Sequence, residues 1–261
     1  MSRLWPEELR GVMLSGQVAL VRKPLLGGSP KKGGALVLPV DPEDQEQLLH
    51  ALDQALPRLS AGHSRLGLVL AGSLTRYALT PAVSALLSVQ EETALARQAF
   101  IQRYGDASTD WTVRHQVQGL NDPFICSAVE TAFLQKLKAC CDRCKIQLSQ
   151  VEPLLAVVWR KARRRIPETA NWLAVAEPGR VHLVSLRRRA WMSLASVRTH
   201  GDFEDALATV LQREASVLEA DADATVWVMS AATGVSLPTS RPWRWLNQRD
   251  STTPCLDFVL A

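Results

Sequence analysis

The feature that most constrains the fold is a run of short strands followed by a helix, which occurs twice along the 261 residues. The first occurrence predicts two strands around the turn Ser15-Gly16 within residues 10–22, a third strand over 35–40, and a helix that ends near Leu59. The second predicts a helix over 202–218 after three strands, namely Asn171–Glu177, Arg180–Leu186 and Ala190–Arg198. We therefore predict an α/β fold of two related halves, with mixed sheets led by hairpins and flanked by helices.

Capping residues predict where the helices begin. Asp41-Pro42 is typical of a helix start, and Ser88 with Glu91 forms a capping-box pattern that opens the next helix. Asp122-Pro123 predicts the start of a long helix that runs through residues 125–141.

Turn residues predict the strand connections. Gly72-Ser73 lies between two apolar runs and predicts a hairpin of strands 66–71 and 74–79. Pro178-Gly179 has the residues that a type II turn requires. The alternation over 111–118 predicts a half-buried strand.

The strand pattern restarts after Arg163–Thr169, which indicates a boundary. We predict a first half over residues 1–165, with an inserted loop and helix at 23–62. The second half covers 166–261 and ends in a C-terminal flap.

Composition excludes several classes of protein. With 47% hydrophobic and 21% charged residues, the chain can bury a sizeable core and is neither disordered nor fibrous. No uncharged run supplies the roughly 18 apolar residues that a transmembrane helix needs. The N-terminus does not read as a signal peptide, so the five Cys are expected to be reduced thiols in a cytoplasm.

A family resemblance rests on the order of the elements and on a set of short segments. These segments are Leu70–Pro81, the acidic helix start Glu91-Glu92, Trp111–Arg114, Gln150–Leu154, Asn171–Val181 and Ser196–Arg198. Together they resemble the PilM family, the small actin-like cytoplasmic proteins of bacterial type IV pilus systems. They are also similar to the cytoplasmic domain of the type II secretion L subunit.

The resemblance implies an actin-like (ribonuclease H-like) fold in which each half begins with a hairpin that, in active members, cradles nucleotide phosphates. In the first hairpin an acidic residue should help to hold Mg²⁺. Met13 stands at that position, ahead of Ser15 and Gly16, and its thioether is no ligand for magnesium.

The other two nucleotide elements implied by the family also depart from its pattern. The second hairpin has Glu177 and Gly179 on either side of Pro178, which lacks an N–H donor. Only Gly234 stands where an adenosine-binding pair of glycines is expected. We therefore expect a protein that is not an enzyme and has no cofactor, with an active ATPase using ATP and Mg²⁺ as the alternative.

The resemblance also implies partners and a location. We expect a non-enzymatic cytoplasmic scaffold of a type IV pilus or type II secretion-like platform, peripheral to the bacterial inner membrane. Its expected partner is a single-span inner-membrane protein whose cytoplasmic tail is like that of PilN or of the secretion M subunit. A second expected partner is the assembly ATPase, and the tail is expected to dock as an extended peptide along a groove or sheet edge.

Charge is concentrated in residues 160–189, which carry nine Arg or Lys and two acidic residues although the whole chain is only +4. The candidate partner-binding residues are Arg160, Arg163, Arg164, Arg165, Arg187, Arg188 and Arg189. One interpretation is a set of solvated faces that complement a helix C-terminus. The others are a docking surface for an acidic partner and a peripheral site for anionic surfaces. Nucleic acid is not expected, because no aromatic residue interrupts either arginine run.

Three further groups contain residue types that are common in binding or metal sites. Trp243 and Trp245 flank Arg244 and are candidates for a partner anchor or, alternatively, for a flap over the core. The three cysteines of residues 140–144 lack the second ligand pair of a zinc site, so no metal is expected. His115 and His182 fall in alternating strands and are expected to face solvent.

Overall fold

The computed structural model describes residues 8–23, 35–42, 44–59, 64–199, 202–232, 235 and 241–246. They form two compact units. The first unit comprises the residues up to 74 together with 132–157, and the second comprises 75–131 together with the described residues from 158 onward. The position 165–166, predicted from the sequence as a division, falls among the residues of the second unit. Strand contacts join the segment 75–131 to the later part of this unit.

The described residues form mixed α/β structure. The strands are β1 (Glu8–Leu14), β2 (Gln17–Lys23), β3 (Ala35–Pro39), β4 (Arg65–Leu70), β5 (Arg76–Leu79), β6 (Trp111–Gln116), β7 (Ile125–Glu130), β8 (Gln147–Pro153), β9 (Trp172–Glu177), β10 (Arg180–Arg187), β11 (Ala190–Arg198), β12 (Val226–Ser230) and β13 (Trp243–Trp245). The helices are α1 (Gln45–Leu59), α2 (Val89–Tyr104), α3 (Thr131–Arg143), α4 (Leu154–Ala162) and α5 (Phe203–Val217). No helix among these is long and apolar enough to cross a membrane.

The two units each contain a five-stranded sheet with the same topology. In the first unit the order is β3-β2-β1-β4-β8, and in the second it is β11-β10-β9-β12-β13. Each sheet begins with three antiparallel strands and continues with two strands parallel to the first of them. The prediction of two related halves with mixed sheets led by hairpins is confirmed by this shared order.

The second unit has a further sheet of three antiparallel strands, in the order β5-β7-β6. Helix α2 packs on it through Phe100, which contacts the ring of Trp111 edge-on. Helix α5 packs on the five-stranded sheet through Leu207 and Leu211, against the fully buried Trp172. Burying a large apolar side chain stabilises the fold by about 1.5–3 kcal/mol, so these two clusters hold the elements of the unit in place.

Local capping signals were reliable for two helices. Ser88 and Glu91 form the reciprocal capping box at the start of α2, and Gly105 ends that helix with a φ of 66°. Asp202 caps α5 by accepting a hydrogen bond from the Glu204 N–H. These signals depend only on neighbouring residues, which is why they can be predicted without knowledge of the tertiary fold.

The predicted start of α1 was wrong by a few residues. Asp44, and not Asp41, accepts hydrogen bonds from the free N–H groups of Glu46 (2.8 Å) and Gln47 (3.0 Å). The helix therefore begins at Gln45, although its predicted end at Leu59 is confirmed.

The predicted hairpin around Gly72-Ser73 does not form. Strand β4 lies between β1 and β8 and is parallel to both, so neither of its edges is open to β5. Strand β5 pairs with β7 in the three-stranded sheet. Long-range pairing thus overrides a local turn signal.

The predicted helix after Asp122-Pro123 was also partly wrong, because its first turns form the central strand β7. Ile125 and Val129 are four residues apart, a spacing that fits one face of a strand as well as one face of a helix. The helical part begins at Thr131. Residues 247–261, which belong to the predicted C-terminal flap, lie outside the described residues.

Candidate functional site

The first hairpin turn, between β1 and β2, carries Met13, Ser15 and Gly16. The Met13 side chain is fully buried, and its carbonyl accepts a hydrogen bond from the Ala71 N–H (2.9 Å). The Ser15 hydroxyl donates to the Pro42 carbonyl (3.2 Å), and the Gly16 carbonyl accepts from the Val40 N–H (3.0 Å). The Ser15 hydroxyl and the Gly16 carbonyl of this turn therefore bond to the segment that follows β3.

The second hairpin turn, between β9 and β10, places Gly179 at a φ of 69°, as a type II turn requires of its third residue. Glu177 precedes this turn, but its carboxylate lies inside the unit, where the Glu177 and His182 side chains are each 1% exposed. Glu177 Oε1 lies 3.1 Å from His182 Nε2. The third nucleotide position, Gly234, lies outside the described residues.

The expectation that His182 faces solvent was wrong. Strand β10 lies between β9 and β11, and nearly all of its residues are buried. The His182 ring meets the ring of Tyr77 edge-on, with centroids 5.8 Å apart. Alternation of polar and apolar residues indicates a half-buried strand only when one face of the sheet meets water.

His115 was expected to face solvent as well, and this expectation was wrong too. It is only partly exposed and its Nε2 lies 3.0 Å from Glu92 Oε2. Its ring also stacks against Phe124.

Arg180 extends the polar group around Glu177. Its guanidinium donates a hydrogen bond to the Ser196 hydroxyl (2.9 Å). Burial lowers the pKa of this guanidinium, and the nearby Glu177 carboxylate acts in the opposite direction. Glu177 thus forms a hydrogen bond with His182 and acts on Arg180 through its charge, both within its own unit.

The two arginine runs predicted as partner-binding residues converge on one pocket of the second unit. Arg163 and Arg164 reach it from the end of α4, and Arg188 and Arg189 reach it from the turn between β10 and β11. The cavity has a volume of about 500 Å³. We call this site the arginine pocket and define it by these four arginines with Gln116, Gln118, Asp122 and Trp159. Arg160 and Arg165 of the same helix end are exposed and do not belong to this set.

Hydrogen bonds fix the wall of the arginine pocket. The Gln118 amide accepts from the Trp191 N–H (2.7 Å) and donates to the carbonyls of Pro123 (2.8 Å) and Trp191 (3.0 Å). Trp191 is 1% exposed and meets Trp159 edge-on, with centroids 5.8 Å apart. Trp159, which lines the pocket, therefore packs against the Trp191 ring, and the Gln118 amide holds the Trp191 backbone in place.

Ion pairs engage only some of the arginines. Arg187 pairs with Asp122 (3.5 Å) and Arg189 pairs with Glu168 (3.6 Å), while Arg189 Nε also donates to the Ile166 carbonyl (3.1 Å). Among the described residues, the guanidinium groups of three pocket arginines make no ion pair, namely Arg163, Arg164 and Arg188. The pocket thus carries uncompensated positive charge.

The aromatic candidates at the C-terminal end pack within the fold. Trp243 is 7% exposed and belongs to the core cluster of the second unit that also contains Trp172 and Leu207. Trp245 is partly buried against the same cluster, and β13 pairs with β12. The geometry favours the flap interpretation for Trp243, because its ring has little surface left for a partner.

The cysteines of residues 140–144 lie at the end of helix α3 and directly after it. Cys140 and Cys141 are buried, and burial raises the pKa of each thiol to about 12. The Cys140 thiol donates to Asp53 Oδ1 (3.3 Å). The described residues contain no group of three or more potential metal ligands.

Solved structures show which fold this is. The chain is similar to the PilM-PilN type IV pilus biogenesis complex, with a TM-score of 0.62 and 13% identity over 92% of this chain and 88% of that chain. It is also similar to a Bacteroides thetaiotaomicron protein with an actin-like ATPase fold, with a TM-score of 0.60 and 9% identity over 87% of this chain and 83% of that chain. The chain has an actin-like fold.

A third similar structure with this actin-like fold is the cytoplasmic domain of EpsL, an inner membrane component of the type II secretion system of Vibrio cholerae. The TM-score is 0.58 and the identity 11%, over 93% of this chain and 90% of that chain. The predicted fold class and the predicted likeness to the pilus and secretion proteins are confirmed at the level of the fold. No protein-family model matches the sequence, and no curated protein matches it significantly.

The pocket was only partly predictable. The arginines were identified from their density in the sequence, but Trp159, Gln118 and Asp122 were not. Two consecutive arginines directly between two strands were the one signal that could have marked the turn as unusual.

Proposed function

We propose that this protein is a non-enzymatic cytoplasmic scaffold of a type IV pilus or type II secretion-like assembly platform. It holds the cytoplasmic tail of a single-span inner-membrane partner and contacts the assembly ATPase. The observation that carries the proposal is the shared fold with the PilM-PilN complex and with the EpsL cytoplasmic domain, which extends over about nine-tenths of each chain.

The contents of the two hairpin turns support a role without ATP turnover. An actin-like ATPase needs carboxylates that face the metal ion and main-chain N–H groups that face phosphate. Met13 supplies a buried thioether at the first turn, and Glu177 is engaged by His182 at the second. An active ATPase would need a free carboxylate at each turn, and neither Met13 nor the paired Glu177 supplies one.

The arrangement of the small sheet supports docking of an extended tail. Extended peptides commonly add a strand to a sheet edge. Strand β6 is an edge strand of the three-stranded sheet, and it ends at Gln116, where the arginine pocket begins. A tail laid along β6 would lead into that pocket.

The platform role is tested by co-purification with a single-span membrane protein encoded beside this protein's gene. We expect the two proteins to purify together, and we expect deletion of the partner's cytoplasmic tail to abolish the complex. Retention of the tail-deleted partner would contradict the docking mode, and failure of every neighbouring membrane protein to bind would contradict the role.

The absence of ATP turnover is tested separately. Addition of magnesium-ATP should leave the melting temperature unchanged, and no phosphate release above a buffer blank is expected. A melting temperature several degrees higher with magnesium-ATP would favour the actin-like ATPase instead.

A further inference from the structure

We propose that the arginine pocket binds paired carboxylate groups of an acidic segment in a partner protein. The inference rests on the proposed function in taking the partner to be a protein of the same platform. It adds a binding site and the chemistry that the site recognises.

The charge of the pocket is the first support. Arg163 and Arg164 could be explained by the C-terminus of α4, where cations complement the helix dipole. Arg188 cannot be explained in this way, because it follows strand β10. The three guanidinium groups line one cavity without an ion pair, so their positive charges repel one another. An anionic ligand in the cavity removes that repulsion.

The backbone of the turn is the second support. Arg188 and Arg189 join β10 to β11 with φ values of 49° and 65°. Positive φ at both central residues is the signature of a type I′ turn, for which Asn-Gly is strongly preferred. Two arginines are unfavourable choices for such a turn, so folding alone does not account for them.

The rigidity of the site is the third support. Gln118 ties the segment after β6 to the first residues of β11, and Arg189 is fixed by Glu168 and the Ile166 carbonyl. A site that is ordered before the ligand arrives loses less conformational entropy on binding.

The shape of the site selects the class of ligand. A cavity of about 500 Å³ with an indole in its wall receives projecting side chains, whereas a flat bilayer surface engages side chains that protrude. Phosphate sites usually add N–H groups from a helix N-terminus, but α4 contributes its C-terminal end here. Planar guanidinium groups pair well with planar carboxylates, so acidic side chains of a protein segment are the best match.

The binding test uses a fluorescein-labelled synthetic peptide of alternating Glu and Leu, measured by fluorescence anisotropy on the full chain. We expect Arg163→Gln combined with Arg164→Gln to weaken binding about tenfold. The matched control is Arg97→Gln combined with Arg213→Gln, which removes two exposed arginines outside the pocket and should leave the affinity unchanged. Raising the salt concentration should weaken peptide binding by the wild-type protein more than peptide binding by the pocket variant.

A second variant separates binding from folding. Arg188→Asn places a favoured residue at the type I′ position and should raise the melting temperature by about 2 °C. The same change should weaken binding of the acidic peptide about threefold. A purely structural role for Arg188 predicts the higher melting temperature with unchanged affinity, and this result would overturn the proposal.

Two comparisons complete the test. Equal binding of a peptide with Gln in place of Glu would overturn the proposal, as would binding of phosphatidylserine vesicles without binding of the acidic peptide. Because the peptide is synthetic, failure of the co-purification would overturn the proposed function and leave this result standing. Peptide binding unaffected by the pocket substitutions would overturn the inference and leave the proposed function standing.

Discussion

Strand β10 has a turn of two residues at each end. Pro178-Gly179 connects it to β9, and Arg188-Arg189 connects it to β11. Both turns need positive φ, at Gly179 in the first and at both arginines in the second. The first turn has the residue that its conformation favours, and the second does not. A turn whose residues do not suit its backbone conformation can therefore mark a site, since Arg188-Arg189 lines the arginine pocket.

The side chains beside the two turns also differ in burial and in their bonding partners. Glu177 and His182 are buried and bonded to each other, so their polar atoms contribute to the fold. Arg187 and Arg189 remain 61% and 41% exposed at the other end of the strand. At the Glu177 end of β10 the polar groups are bonded within the unit, whereas at the other end Arg188 makes no ion pair among the described residues.

We expect the largest change in stability from a substitution at the buried end of strand β10. Glu177→Leu removes the hydrogen-bond partner of His182 Nε2, so that among the described residues neither ring nitrogen of the buried imidazole has one. We expect the free energy of unfolding to fall by about 2 kcal/mol, measured by urea denaturation. Glu177→Gln keeps an acceptor oxygen and should lose clearly less. Equal stability of the Leu variant and the wild type would show that the pair does not stabilise the fold.

A smaller effect is expected from the backbone of the two turns. Gly179→Ala should destabilise the protein by about 1 kcal/mol, because an L-residue is unfavourable at a φ of 69°. Apart from the glycine and its two chain neighbours, no heavy atom of the described residues lies within 4 Å of the added Cβ, so this loss reports the backbone alone. Arg188→Asn should have the opposite sign, and thermal denaturation of both variants measures the difference. Destabilisation by both changes would mean that the arginine turn is as well adapted to folding as the glycine turn.

We expect the smallest change in stability from an increase in salt concentration. Screening of the arginine pocket should stabilise the wild type by a few tenths of a kcal/mol between 50 and 500 mM NaCl, as estimated for exposed charges. The variant with Arg163→Gln and Arg164→Gln should gain less, because two of the repelling charges are gone. An identical salt response in the two proteins would indicate that the pocket arginines do not repel one another.

Much of the secondary structure was predictable wherever a local signal agreed with the tertiary fold. The capping box of Ser88 and Glu91, the cap at Asp202 and the three strands β9, β10 and β11 were all confirmed. The errors at β4 and β7 have one cause. The partners of these strands are set by long-range pairing, which residue spacing and turn composition do not reveal.

The candidate site was less predictable than the fold. The density of arginine in residues 160–189 indicated a surface of interest, but it did not separate Arg163 and Arg164, which line the pocket, from Arg160 and Arg165, which do not. Which side of a helix end or turn faces a cavity depends on packing. The tryptophan, glutamine and aspartate of the pocket were invisible for the same reason.

The repeated strand-and-helix order, the helix caps and the concentration of positive charge follow from the amino-acid sequence alone, because each depends on residues that are close along the chain. The burial of Glu177 with His182 becomes visible only in the folded chain. The same holds for the two arginine runs, which are more than twenty residues apart and share one pocket. Burial and convergence depend on which strands pair and which faces pack. Those choices are made by contacts between residues that are distant in the sequence.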